Sequence, residues 1–227
     1  FVQGQKHRLW GRVLIDSGFR YVGGLFGIAQ IPYLARPTSW PSMRLVTVLV
    51  CCSLWIGESR TEKIIMYVHG GVYCFPDGDS ALSFWRYTAE AVEKSGQQIG
   101  LTILNYILVP EGSLPTPFKQ TVLVVNLGDG AEPQNLQIMG DSVGAALILQ
   151  LFSHMLHPFP EFSVLALPTK IKGVPLMAPR VPLTSKNGSY LADGESDVLS
   201  AKPWAFLADQ ILPNVPGNSD SLILMLH

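Results

Sequence analysis

Leu136-Gln137-Ile138-Met139-Gly140-Asp141-Ser142-Val143-Gly144-Ala145-Ala146-Leu147-Ile148-Leu149-Gln150 is the stretch whose reading decides the fold of this chain. It opens on a short apolar run, residues 136–139, and leads into an Ala/Leu/Ile-rich segment, residues 145–156, which Pro158 halts. That pattern predicts a strand, a tight turn and a helix. The turn, Gly140-Asp141-Ser142-Val143-Gly144, matches G-x-S-x-G. A serine at the tip of such a strand-to-helix turn stands in strained backbone geometry, and the flanking glycines let neighbouring elements approach closely. The helix that follows points the positive end of its dipole at the serine, where developing negative charge is stabilised. Ser142 is the candidate nucleophile, with Gly140, Asp141 and Gly144 supporting the turn. The competing reading is a glycine-rich turn with an incidental serine, and the strand before it and helix after it weigh against that.

Working outward, residues 64–68 form an apolar run that ends at His69-Gly70-Gly71-Val72. A glycine-rich loop leaving an early strand can turn its backbone N–H groups toward a substrate carbonyl, joined by the N–H of the residue after the nucleophile. Gly70, Gly71, Val72 and Val143 are therefore candidate oxyanion donors, with His69 in support. Residues 81–95 predict a helix with Leu82, Trp85, Ala89 and Val92 on its apolar face, Ser80 as its cap and Gly96 at its end. Residues 101–108 read as a strand and residues 118–127 as a helix after the breakers Pro115 and Pro117. Residues 171–177 read as a strand that Pro175 makes irregular. Residues 45–56 read as a buried strand or strand pair from their Val and Thr content. Strands alternating with helices give an α/β fold with a mostly parallel sheet and helices on both faces. Residues 1–60, broken by Gly23-Gly24, Pro32, Pro37 and Pro41, are expected to form an N-terminal arm and edge strands. Residues 61–227 are expected to hold a partial core, the whole being one domain.

Composition narrows the function classes. Of 227 residues, 48% are hydrophobic and 15% charged, against the roughly 25% charged of ordinary soluble domains. The mean hydropathy is +0.27. Lipid-like substrates, contact with a membrane surface, or an incomplete domain would each account for this. A net charge of −1 and the lack of any Lys/Arg run argue against a nucleic-acid partner. The apolar run at 45–56 is shorter than the roughly 20 residues of a transmembrane helix, and no signal peptide is visible at Phe1. Cys51, Cys52 and Cys74 lack the spacing of a disulfide framework and read as buried thiols, which points to a reducing, cytoplasmic setting. No His/Cys/Asp cluster has the spacing of a metal site, so neither metal nor cofactor is expected.

Three segments together carry a family resemblance. His69-Gly70-Gly71-Val72-Tyr73, then Asn105-Tyr106-Ile107-Leu108-Val109-Pro110-Glu111 with Pro115, then Gly140-Asp141-Ser142-Val143-Gly144-Ala145-Ala146-Leu147 resemble the hormone-sensitive-lipase-type esterases, the α/β-hydrolase-3 group. Residues 152–158 and 197–200 are similar to its fungal, steryl-acetyl-hydrolase-like branch. The resemblance covers residues 60–212 and implies an α/β-hydrolase fold. It also implies a serine ester hydrolase, carboxylesterase- or lipase-like, that acts on a small hydrophobic ester through an acyl-enzyme. Two departures stand out. Val72 occupies the third glycine position after the histidine, where a β-branched residue resists positive φ. Val143-Gly144-Ala145 stands where the family has Ala-Gly-Gly.

In this fold the nucleophile is followed in the chain by the acid and then the histidine. The resemblance places both after two further strands beyond residues 171–177. Past Trp204 the sequence offers one short apolar run, 222–226, so the C-terminal strands are expected to be missing, with the acid and histidine beyond residue 227. His154 and His157 sit on the Ser142 helix, roughly 18 Å or more along its axis, and read as surface or helix-end residues that complement the dipole. His7 lies on the arm and His227 ends the chain. Among the acids, Asp141 is directed away by the elbow, and the resemblance implies a structural role for Glu111. Asp193, Glu195 and Asp197 come too early, and Asp220 is a weak candidate. A serine without a base is a poor nucleophile. The alternatives are therefore a catalytically inactive ligand-binding protein on the same fold, or a truncated fragment. Tyr73, Phe75 and Trp85 are candidate pocket residues, each equally readable as core.

Overall fold

The computed structural model describes residues 44–48, 51–127, 131–181 and 201–211. Its central strand is β3, Ile64–Val68, an apolar run without Gly or Pro. Before it come β1, Arg44–Val48, and β2, Cys51–Ile56. After it the chain alternates: helix α1, Asp79–Lys94; strand β4, Gly100–Asn105; helix α2, Thr116–Leu127; strand β5, Leu136–Asp141; helix α3, Ser142–Leu156; and the two-residue strand β6, Leu176–Met177. The described sheet has the order β1-β2-β4-β3-β5-β6. The β3/β4, β3/β5 and β5/β6 pairs are parallel, while β2 runs antiparallel to both β1 and β4. The α/β reading with a mostly parallel sheet is thus what the structure has.

The order matters for the site. From β3 the chain crosses through α1 to β4 on one side, then returns through α2 to β5 on the other. β3 therefore lies at the point where the strand order reverses, and ligands of open α/β sheets bind beyond the carboxyl ends of such strands. Val68, the last residue of β3, pairs with Gly140 near the end of β5. The loops leaving both strands start side by side.

Strand alternation divides the core. In β5, Leu136, Ile138 and Gly140 are buried, and Gln137, Met139 and Asp141 half-buried. Tyr67, Leu54, Leu101 and Ile103 pack with Leu82 and Trp85 of α1, and Met139 lies against this cluster. α2 and α3 pack on each other, α2 touching β2 and α3 touching β3 and β5. α3 is buried on most sides, including Val143, Leu147, Ile148 and Leu151. Each such side chain contributes about 1.5–3 kcal/mol by leaving water.

The boundaries differ from the sequence reading for identifiable reasons. α1 starts at Asp79 with Gly78 as N-cap, so Ser80 lies inside the helix and does not cap it. β4 stops at Asn105 because the next backbone N–H groups turn to other partners: Ile107 N–H donates to Gln120 Oε1 and Val109 N–H to the Tyr73 carbonyl. Residues 171–177 do follow β5, with bonds from Lys172 N to Leu136 O and Ile138 N to Gly173 O. Pro175 has no N–H to give, and regular pairing survives only at Leu176–Met177. One further helix, α4, Ala201–Ile211, escaped the sequence reading, although Leu207, Ala208 and Ile211 mark one buried face. By spatial compactness Pro32–Arg180 form one unit, which holds the sheet, and Phe1–Ile31 with Val181–His227 form another. No described helix is long and apolar enough to cross a membrane.

His154 corrects the expectation of a surface residue. It is fully buried. Its Nε2–H donates to the Ser163 carbonyl at 2.9 Å, and its Nδ1 accepts the Phe159 N–H at 3.1 Å. Phe159 stacks on the ring, while Phe118 and Phe162 meet it edge-on. The imidazole thus pins residues 159–163 to α3. His154→Ala would leave a cavity and orphan two backbone groups, so a loss of about 2–4 kcal/mol is expected, measured as a lower urea midpoint with unchanged slope. His157, the C-cap of α3, is exposed as expected.

Candidate active site

Ser142 is the first residue of α3 and has φ +50°. For a non-glycine residue this left-handed conformation is a strain that the surroundings must hold. They do so from three sides. Gly140 lies against the backbone of Gly144 and Ala145, and a Cβ at Gly144 would collide with the Val68 carbonyl oxygen. From the far side, Arg180 N–H donates to the Ser142 carbonyl at 3.0 Å. The helix start is thereby pressed onto the end of β3, and Ser142 is left partly exposed. Val143 N–H belongs to the first turn, where no intrahelical acceptor exists.

The loop after β3 stands next to this turn. A Cβ at Gly70 would lie 3.1 Å from Ser142 Cβ. Gly71, Val72 and Tyr73 have φ of 94°, 53° and 59°. Val72 therefore adopts the backbone region that its branched side chain resists. The turn closes with Cys74 N and Phe75 N both donating to the Gly71 carbonyl. The N–H groups of Gly71 and Val72 are given to no other described residue. Gly70 departs from the expected set of oxyanion donors: its N–H already donates to Asp141 Oδ1 at 2.8 Å. Asp141, expected to support the turn and to point away from the nucleophile as a triad acid, anchors this loop and also accepts the Tyr67 hydroxyl at 2.6 Å.

His69 is buried beneath the loop. Its Nδ1–H donates to the Gly70 carbonyl at 2.8 Å, and its ring stacks on Tyr106 at 4.3 Å. Burial pulls its pKa down to about 4, against the smaller opposing effects of the Gly70 bond and the Asp141 charge. It is a neutral strut at neutral pH. Tyr106 adds a second brace, its hydroxyl lying 2.9 Å from the carbonyls of both His69 and Gly70. Tyr106 opens the Asn105-Tyr106-Ile107 segment, whose sequence says only strand and turn. Tyr67, Tyr106 and Arg180 are contributors that sequence reasoning missed.

No hydrogen bond joins Ser142 Oγ to a histidine or carboxylate among the described residues. His7, His227, Asp193, Glu195, Asp197 and Asp220 lie outside them. Trp85 belongs to the core cluster and Tyr73 is wholly buried, so of the proposed pocket residues only Phe75 keeps some exposure. Cys74 is buried, which pushes its thiol up to about 12, and the side chains of Cys51 and Cys52 are outside the described set. A cavity of 420 Å³, lined by Phe152, Met155, Leu167, Ile171 and Val174 among others, contains no residue of either loop. No group of His, Cys, Asp and Glu among the described residues could hold a metal.

Asp77 makes the site's environment measurable. Burial, and secondarily the Asp141 charge, raise its pKa from 3.8 to about 7, against a bond from Gly78 N–H. The folded state therefore holds this proton more tightly than the unfolded chain does. Its contribution to stability is greatest below pH 4 and is lost as pH rises through 7. Asp77→Asn is expected to flatten this dependence, leaving the variant about 1–3 kcal/mol more stable than the wild type at pH 8 and about equal at pH 4. Urea unfolding at both pH values checks it; parallel curves for the two proteins would refute the assignment.

A family described as having the alpha/beta hydrolase fold matches residues 65–226. No curated protein sequence matches the chain. Among solved structures, an esterase from the bacterial hormone-sensitive lipase family superposes with TM-score 0.68 at 16% identity, covering 96% of this chain and 73% of that one. A structure described as EstE5-PMSF gives 0.57 at 22%, covering 94% and 64%. A hormone-sensitive lipase from a metagenome library gives 0.64 at 18%, covering 95% and 73%. This chain thus spans about two-thirds to three-quarters of the length of these structures. At such identities the likeness speaks for the fold.

Proposed function

The chain belongs to the α/β-hydrolase-3 family over residues 65–226, and on that premise we propose that it is a serine ester hydrolase whose nucleophile is Ser142. The observation that carries this is the strained Ser142, at φ +50°, with Gly70, the start of the loop that carries Gly71 and Val72, packed against it; the N–H groups of Gly71, Val72 and Val143 are the donors we assign to the oxyanion. Attack by Ser142 Oγ on an ester carbonyl forms a tetrahedral intermediate. Its oxyanion takes those N–H groups, and collapse expels the alcohol and leaves an acyl-serine that water then hydrolyses. Gly70 serves the reaction by tying the loop to Asp141, not by donating to the oxyanion. In this reading the histidine and acid that activate Ser142 and return its proton are none of the described residues. The apolar composition supports a small hydrophobic ester as substrate. The fungal, steryl-acetyl-hydrolase-like branch rests on sequence resemblance alone, in the three motifs and in residues 152–158 and 197–200.

The test is turnover of p-nitrophenyl acetate and butyrate by the purified chain. Release of nitrophenol with a burst equal to the enzyme concentration is expected. A folded chain that binds these esters, or their alcohol products, without releasing nitrophenol would replace the hydrolase reading with that of a binding protein.

A further inference from the structure

One oxygen, Asp141 Oδ1, takes two donors: the Tyr67 hydroxyl at 2.6 Å and the Gly70 N–H at 2.8 Å. Strand alternation explains the meeting. Tyr67 pairs with Met139, and Asp141 lies two residues further on, on the same face of the sheet. The Tyr67 ring is itself held, being buried and packed against Trp85 of α1 at 4.8 Å between centroids. Burial, aided by the Asp141 carboxylate, keeps the phenol protonated and therefore a donor. Asp141 sits at the turn that strains Ser142, and Gly70 begins the loop that carries Gly71 and Val72. Three consecutive positive-φ residues persist only if the chain on either side of them is fixed. Downstream, Val109 N–H holds the Tyr73 carbonyl at 2.8 Å. Upstream, the hold is Asp141 Oδ1, together with the Tyr106 hydroxyl.

We propose that Tyr67 is a positioning residue of this site: its hydroxyl aims the Asp141 carboxylate, which clamps Gly70 and so sets where the Gly71 and Val72 N–H groups stand relative to Ser142. This deepens the ester-hydrolase reading and rests on it for its catalytic consequence. Tyr67 touches no reacting atom. Its influence passes through a single carboxylate oxygen, and it connects the α1 face of the sheet to the loop geometry.

Tyr67→Phe removes the hydroxyl and keeps the packing. Hydrogen exchange of the peptide spanning residues 68–73, followed by mass spectrometry, is expected to speed up at Gly70 and its neighbours. With p-nitrophenyl butyrate, kcat is expected to fall about 10–100-fold while KM stays within about threefold, because misplaced donors weaken the transition state more than the ground state. In an Asp141→Asn background the same change should add less than about twofold, since the two residues act as one unit. Unchanged exchange overturns the proposal, as does an active variant with unchanged kcat, or full additivity with Asp141→Asn. A wild-type chain without Ser142-dependent turnover would remove the hydrolase reading instead. The exchange measurement would still decide the clamp, with faster exchange supporting it and unchanged exchange overturning it.

Discussion

Ser142→Ala is expected to lower ester turnover by about 10⁴–10⁶-fold, with any remaining rate coming from the oxyanion donors and binding alone. The size of the effect follows from the geometry. Ser142 is the hydroxyl that the structure holds in a strained, partly exposed turn at the carboxyl end of the sheet. The proposed donors, the N–H groups of Gly71, Val72 and Val143, are backbone groups, and the substitution leaves them in place. Alanine also fits the space, since it only removes an oxygen and keeps the Cβ that makes φ +50° strained, so the unfolding midpoint should stay within about 2 °C of the wild type. The measurement pairs p-nitrophenyl butyrate kinetics with labelling by a fluorophosphonate, which reacts with an activated serine. Loss of both in a folded variant assigns the nucleophile. Retention of turnover would move it elsewhere in the chain.

Gly144→Ala is expected to be strongly damaging to both fold and site. Its Cβ would run into the carbonyl oxygens of Val68 and His69, which are main-chain atoms at the end of the central strand and cannot swing aside. Either α3 lifts from β3 or the His69–Gly70 loop shifts, and both outcomes break the junction that holds Ser142. Overpacking against backbone costs about 3 kcal/mol or more, which at this chain length lowers the melting temperature by about 10 °C. Activity should fall with it. Gly78→Ala provides the control. Gly78 has φ −97°, and the nearest atom to an added Cβ is Ser80 Oγ at 3.9 Å. That change should cost about 1 kcal/mol at most, as for a helix N-cap. Equal losses in the two variants, by calorimetry, would mean that the contact at Gly144 relaxes freely.

Read residue by residue, the chemistry of the site was partly written in local pattern. Gly-x-Ser-x-Gly between an apolar strand and an Ala/Leu/Ile helix located Ser142, because a glycine-flanked turn between two periodicities is a local event. The role of Gly70 was misjudged because its donor capacity depends on a carboxylate 71 residues away in the chain. For His154 the helix-end position was legible, since it lies in the last turn of α3, but its burial was not, because Phe159, Phe162 and Phe118 enclose it and two backbone groups claim its nitrogens.

The amino-acid sequence by itself determined that strands and helices alternate, that Ser142 tops a sharp turn, and that a glycine loop follows an earlier strand. These depend on spacing, glycine and proline, whose effects reach only a few residues. Only the tertiary structure decided that β3 lies between β4 and β5, because strand order is chosen by long-range pairing and by helices covering both faces. That order places Val68 against Gly140, sets the His69-Gly70-Gly71 loop beside Ser142, and brings Tyr67 within 2.6 Å of Asp141.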